Sequence, residues 1–355
     1  MNQPIASLES LSNELFHEIF DYLDGIHLYR AFSNLNHYFQ ELITAPFVLL
    51  KINSSRSSAE STSINQWKQI MKLNCHQIYS IDLEGSAYNK EFFTSVFLLD
   101  SSLNHLQSLY LWNFDLTTLM SILAQLSSLP RLSSLMISVD GTSINLADIY
   151  RLILSLPMLE YYKFYTCELD LPVSLPMANE QQVTQIKYLN IDHCCHFNEL
   201  INILSYTPEL RRLRLSDDSG GKFNPGVLPR ITLTHLTTLS IHSYSVTFDQ
   251  WEILIGHLRP PLKGLYFLTR SEDIDFLDSH RWERFLREYF PRLKRFSFHY
   301  HQSINKNQRL PIFPFQSNQF LSTFWIERKW FMEIELDDNE IIQIQSIIHL
   351  RCASE

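Results

Sequence analysis

Residues 208–215 read PELRRLRL. Leu210, Leu213 and Leu215 stand in the spacing L-x-x-L-x-L, which sets Leu213 and Leu215 on one side of a short strand and turns Arg212, Arg214 and Ser216 to the other. So short a strand cannot stand alone; it needs copies of itself on either side.

The copies are there. The same template returns at Ile78-Ile81-Leu83, Leu106-Leu109-Leu111, Leu132-Leu135-Ile137, Leu159-Tyr162-Phe164, Ile186-Leu189-Ile191, Leu236-Leu239-Ile241, Leu262-Leu265-Phe267, Leu293-Phe296-Phe298 and Leu321-Phe324-Ile326. The steps between copies run from 24 to 31 residues. Pro130, Pro157, Pro208, Pro261 and Pro291 stand just upstream of copies, and proline separates a helix from a following strand because it cannot continue the helix. Period and template together resemble leucine-rich repeats. Helix-like apolar periodicity fills most intervals, at residues 64–73, 90–99, 116–126, 146–156, 197–206, 248–258 and 281–289. Residues 168–185 and 217–235 lack it and carry Pro172, Pro176, Pro225 and Pro229, so irregular segments are expected there. The expected fold is α/β: a leucine-rich-repeat solenoid with a curved parallel inner sheet and outer helices. The repeats also resemble the cysteine-containing class, which places Cys or Asn three residues after the template; Cys167 and Cys194 occupy that place.

The chain has 355 residues, more than one ordinary core uses, with 45% hydrophobic and 19% charged residues, so a large core is affordable and disorder is not expected. A net charge of −9 speaks against nucleic acid as a partner, since phosphate binding needs a basic stripe. The amino-terminal MNQPIASLES has neither the basic region nor the apolar run of a secretory signal, and no stretch is long enough to span a bilayer. Five cysteines, without the spacing of a disulfide framework, suit a reducing compartment, cytoplasm or nucleus.

Residues 8–43 form the second informative stretch. A first helix is expected from Ser12 or Asn13, either able to cap it, to Leu23, with Asp24-Gly25 ending it. A second carries Leu28, Ala31 and Phe32, and a third has Leu35, Tyr38, Phe39, Leu42 and Ile43 on one stripe. Half of the 36 positions are apolar or aromatic, so a bundle this small has apolar area left for a neighbour. Either the surplus packs on the solenoid as a cap or it docks a partner. Leu11-Ser12-Asn13-Glu14-Leu15, Ile19-Phe20, Leu23, Leu28 and Phe32-Ser33 resemble the F-box family pattern L-P-x-E-[LI]-x-x-x-[IV]-[FL]-x-x-L. Two departures stand out: Ser12 replaces the usual proline, and Asn34 follows Ser33 where the family has a basic residue. The resemblance implies a trihelical module that binds the adaptor of an SCF-type ubiquitin ligase, and through it a cullin. Leu11, Leu15, Ile19, Phe20, Leu23 and Leu28 are then expected to divide between core and adaptor contacts.

The expected organisation is a trihelical module at 1–46, a linker at 47–63 with a possible short strand at 47–52, the solenoid at 64–336 and a cap or tail at 337–355, where residues 330–336 and 341–350 cover the last strand. Residues 53–63, with seven Ser or Thr among eleven, read as a solvated loop.

Catalytic signatures are missing: there is no G-x-S-x-G, H-E-x-x-H, P-loop or dinucleotide fingerprint, and no cofactor is expected. His193-Cys194-Cys195-His196 lacks a C-x₂-C partner, and neighbours on a strand point to opposite faces, so no metal is expected there. The acidic run of Glu272, Asp273, Asp275 and Asp278 reads as a solvated loop before a helix. The inner sheet face is more informative. Its outward positions include Tyr110 and Trp112; Tyr161, Lys163 and Tyr165; Tyr188; Arg212 and Arg214; His242; Tyr266; Arg295; and Trp325, the residue types that dominate protein interfaces. Ten strands about 4.8 Å apart span on the order of 43 Å, enough for a protein target. The expected function is therefore target recruitment to a ubiquitin ligase, without chemistry of its own; the alternative is a ligase-independent scaffold whose first helices only cap the solenoid.

Overall fold

The computed structural model describes residues 8–53, 69–72, 74–85, 99–139, 146–166, 173–193, 195–217, 231–243, 246–271, 273–300, 319–330, 333–335 and 345–347. The expected helices at 64–73 and 90–99, the Ser-rich loop from 54 on, Cys167, Cys194, Glu272 and most of the tail lie outside them, wholly or in large part.

Ten strands form one sheet in chain order: β1 (Leu50–Asn53), β2 (Ile78–Glu84), β3 (Ser108–Trp112), β4 (Ser134–Val139), β5 (Tyr161–Thr166), β6 (Tyr188–Asp192), β7 (Arg212–Asp217), β8 (Thr238–Ser243), β9 (Gly264–Thr269) and β10 (Arg295–Tyr300). The described pairings are parallel. The apolar template sets the register. Ile81 lies opposite Leu109 and Leu109 opposite Leu135; Tyr162, Leu189, Leu213, Leu239, Leu265 and Phe296 follow one another in the same way. A slip of one residue would turn every one of these side chains out of the core. The first template residue arrives through a repeated turn: Leu106, Leu210, Leu236 and Leu293 each donate their N–H to the carbonyl three residues earlier. This is the architecture of a leucine-rich-repeat solenoid, α/β, with three helices ahead of it.

The chain divides into two compact units, Met1–Gly141 with Leu156–Leu159, and Thr142–Ser155 with Glu160–Glu355. In the first, α1 (Asn13–Tyr22), α2 (Gly25–Phe32) and α3 (His37–Ile43) close around aromatic rings. Phe16 has no exposed surface and meets Phe39 edge-on at 5.3 Å, with Phe20 at 6.0 Å and Phe32 at 6.4 Å. Asp24 caps α2, accepting from the Ile26 N–H at 2.9 Å, while its other oxygen accepts from the Asn53 N–H of β1 at 2.5 Å. Burial raises its pKa above the ordinary aspartate value against the pull of these two bonds. Gly25 lies so close to β1 that a Cβ would sit 3.1 Å from the Lys51 carbonyl and 2.9 Å from Ile52 Cδ1, so no side chain fits there without movement. Gln77, itself fully buried, points its amide nitrogen at the carbonyls of Ile43, Ala45 and Val48, 3.1, 2.8 and 3.0 Å away. The helices are thus joined to the start of the sheet, and residues 50–53, overlapping the short strand expected at 47–52, are its first strand. Further along, α4 (Leu116–Gln125), capped by Asp115, buries Leu119, Ile122 and Leu123.

In the second unit α5 (Leu146–Leu154), α6 (Phe197–Ser205), α7 (Phe248–Leu258) and α8 (Ser279–Tyr289) stand at the positions given by the sequence periodicity. Thr247 and Gln250 form a capping box on α7, and Asp278 caps α8. Residues 173–185 contain no helix. Their backbone leans on α6 instead: Glu199 accepts from the Val173 N–H at 3.0 Å, Asn202 donates to the Leu175 carbonyl at 2.7 Å, and the Ser205 hydroxyl accepts from Ala178 at 2.8 Å. Side chains of the neighbouring helix supply the partners that a helix would have supplied to itself.

The last copy of the template is not a strand. Residues 319–321 form a 3₁₀ turn and Thr323–Glu327 a short helix, α9. Phe324 and Trp325 are buried while Leu321 and Ile326 are half exposed, so the spacing there is helical. Trp325 and Trp330 lie tilted against Phe296, 6.1 and 5.4 Å between centroids, and close the core behind β10. Trp325, assigned to the open sheet face on sequence, is a core residue. β11 (Glu333–Glu335) and β12 (Gln345–Ile347) pair antiparallel, with β12 beside β10.

Glu283 ties this closure to α8, accepting from the Ser322 hydroxyl at 2.6 Å and from Arg287 at 2.8 Å. Partial burial would raise its pKa, but these two partners prevail and hold it below the ordinary 4.5. A carboxyl that binds its proton later in the folded than in the unfolded chain stabilises the fold above its ordinary pKa, and that contribution is lost as pH falls through the folded value. The fall in urea midpoint from pH 7 to about pH 3 is therefore expected to be smaller in Glu283→Gln than in the wild type. An equal fall in both would show that Glu283 carries no such linkage.

Candidate protein-interaction surfaces

Helix α1 is apolar on two sides. Phe16 and Phe20 face the bundle; Leu15, Ile19 and Tyr22, at i, i+4 and i+7, face outward and are 45%, 38% and 89% exposed. Of the six residues assigned to the adaptor on sequence, Leu15 and Ile19 are exposed, Leu11 and Leu23 are half-buried, and Phe20 and Leu28 belong to the core. Tyr22 extends the stripe and was not singled out, although the i, i+4, i+7 spacing of 15, 19 and 22 is visible in the sequence. Ser12 sits at the N-cap of α1, but its hydroxyl does not cap the helix; it bonds the Glu14 carboxylate and lowers that pKa. The φ of Ser12, −71°, is one a proline would also take.

The strands alternate buried and open residues, so the sheet presents a second face away from the core. In the first unit the Asp82 carboxylate on this face accepts from Asn53 Nδ2 at 3.0 Å and from the Trp112 indole N–H at 2.9 Å. Burial and the Asp82 charge together raise the pKa of Tyr110, opposite Asp82 in register. Tyr110 and Trp112 are thus partly exposed aromatics, with the indole of Trp112 anchored by a carboxylate.

In the second unit the open face brings together the exposed Tyr165, Arg212, Arg214, Tyr266 and Arg295 and the partly buried Tyr161, Lys163, Tyr188 and His242, all predicted from the repeat. The Tyr161 and Tyr188 rings lie 6.3 Å apart, and the Arg212 guanidinium covers Tyr188 at 5.5 Å. Gly264, between Thr238 and Arg295 in register, is itself buried, with the side chains of Tyr266, Thr238 and Arg295 gathered around it. Tyrosines on a paired sheet bring large contact area at low entropy cost, and arginines bring forked hydrogen-bond donors, which suits the face to a protein surface.

Groups with chemical potential elsewhere are engaged structurally. His193 is buried, with Nε2 2.7 Å from the Tyr150 hydroxyl, and burial raises the pKa of that tyrosine. An apolar pocket of about 30 Å³ in the second unit is lined by Ile191, Leu215, Ile241, Trp251 and Phe267 beside His193 and Cys195. Asp273 and Asp278 of the acidic run cap the helices that follow them, and Asp275 pairs with Arg281, whose guanidinium also meets Asp249 and Glu252 and covers Phe248 at 4.4 Å. Among the described residues no three His, Cys, Asp or Glu side chains gather as metal ligands, and no helix is long and apolar enough to cross a membrane.

No family model and no curated protein matches the chain. Among solved structures it is similar to the leucine-rich repeat-containing protein LegL7 from Legionella pneumophila, with 16% identity over 82% of this chain and 80% of that one and a TM-score of 0.32.

Proposed function

We propose that this chain is a target-recruiting subunit of an SCF-type ubiquitin ligase, working by position and without catalytic groups of its own. The observation that carries the reading is the outward stripe of Leu15, Ile19 and Tyr22 on a helix whose other side is already committed to the bundle. Such a stripe on an F-box-like sequence fits an adaptor subunit, which would link the chain to a cullin. The open sheet face fits the target, holding it near the ubiquitin-charged enzyme and raising its effective concentration there.

The test is co-purification of the adaptor with the full chain. Leu15→Asp is expected to fold normally, because Leu15 is half exposed, and to weaken adaptor capture at least about a hundredfold by placing a charge on the apolar stripe. Equal recovery with both chains would remove the ligase reading.

A ligase-independent scaffold is the second reading, favoured by the junction of α2 and α3 with β1 through Asp24, Gly25 and Gln77, which makes the three helices a cap as well. Removing residues 1–46 would damage the fold under either reading. The surface variant at Leu15 is the one that separates them.

A further inference from the structure

From the charge on the open sheet face of the second unit we infer that its target is an acidic protein segment, bound extended with its Asp and Glu side chains spread among separate cations. This rests on the reading of that face as the target surface, and not on the ligase reading of α1.

The chain as a whole carries a net charge of −9. Against that background the outward positions of β5 to β10 hold Lys163, Arg212, Arg214 and Arg295, and Asp192 is the one carboxylate among those outward positions. Ion pairs in this unit form elsewhere, at Arg151–Asp148, Lys187–Glu160, Arg281 and Arg287–Glu283; among the described residues none reaches the four cations of the face. The first unit differs, with Asp82 and Glu84 against Lys51 on its outward positions. Unpaired cations grouped on one face of an acidic protein attract an anionic partner there.

The register fixes how far apart the cations stand. Arg212 and Arg214 are two residues apart on one strand, about 7 Å. Lys163 and Arg214 share a cross-strand row with Asn190 between them, about 10 Å. Arg212 and Arg295 share the next row, three strands apart across Thr238 and Gly264, about 14 Å. A single phosphate group is too small to span these distances, and Lys163 and Arg295 would be left without an anion. An extended chain advances about 3.3 Å per residue, so carboxylates two, three or four residues apart reach one cation each. Tyr161, Tyr188 and Tyr266 between the cations give apolar side chains of the same segment a place to pack.

The experiment uses the full chain and fluorescence anisotropy with three labelled probes: a Glu-Ser-Leu-Glu repeat peptide, the same peptide with Lys for Glu, and single-stranded DNA of matching charge. The acidic peptide is expected to bind and to weaken with added salt, and the basic peptide not to bind. R212E/R214E, and separately R295E, are expected to weaken the acidic peptide, the double variant by about tenfold or more. R131E, an exposed change in a turn of the first unit, is expected to leave binding unchanged. Equal binding of both peptides, an equal loss in R131E, or DNA binding as tightly as the acidic peptide would overturn the inference. Adaptor capture by the same preparations keeps the two proposals apart: its loss with peptide binding intact overturns the ligase reading alone, and the converse overturns the acidic-target inference alone.

Discussion

Trp282→Ala is expected to cost the second unit about 3–5 kcal/mol, measured as a fall in the urea midpoint of its unfolding transition. Trp282 is fully buried where α8 meets the sheet, with the rings of Phe248 at 4.9 Å, Phe298 at 5.0 Å and Phe296 at 5.2 Å. Rings held from a helix on one side and strands on the other cannot all move inward to fill the space left by an indole. The indole N–H also donates to the Phe276 carbonyl at 2.7 Å, which would lose its partner inside the protein. Trp282→Phe separates the two effects: it keeps most of the volume, loses the hydrogen bond and is expected to cost about 1–3 kcal/mol. A loss below about 2 kcal/mol for the alanine variant would show that the aromatic core collapses more readily than its packing implies.

Gln77→Leu is expected to cost the first unit about 3 kcal/mol with little change in volume, because the buried carbonyls of Ile43 and Val48 and the part-buried one of Ala45 lose the amide that serves them. One of these belongs to the last residue of α3, one lies just beyond it and one is on the approach to β1, so the damage has a place. Backbone amides over residues 43–50 should exchange with solvent much faster, and protease should cut there first. Unchanged exchange in that segment would mean that Asp24 and Gly25 suffice to hold the junction.

The repeat was legible because its signal is redundant. Nine copies of one template predict nine strands, and side chains that must face a common core settle the register of each with its neighbours. The tenth copy departs from this: Phe324 and Trp325 turn inward from a short helix, Phe320 joins them from the 3₁₀ turn before it, and the template spacing there carries no register. The open face followed from strand alternation, and every residue assigned to it, apart from Trp325, lies there. The junction was not legible. Gln77 is one polar residue before a strand, and nothing in its neighbourhood marks it as the partner of carbonyls some thirty residues upstream. The division of α1 was only half legible: a helix apolar on both sides shows that something is left over, but only packing tells Phe20, which is inside, from Ile19 next to it, which is outside.

Gly25, Asp24 and Gln77 together tie the three helices to the strands they touch. A molecule gripping α1 therefore holds β1 to β4 at an angle that was decided when the chain folded, as a bracket holds a shelf. If the proposed roles hold, whatever is presented from those strands arrives in a set orientation, and a single bulkier residue at position 25 would tilt the presentation while leaving both gripping surfaces chemically intact.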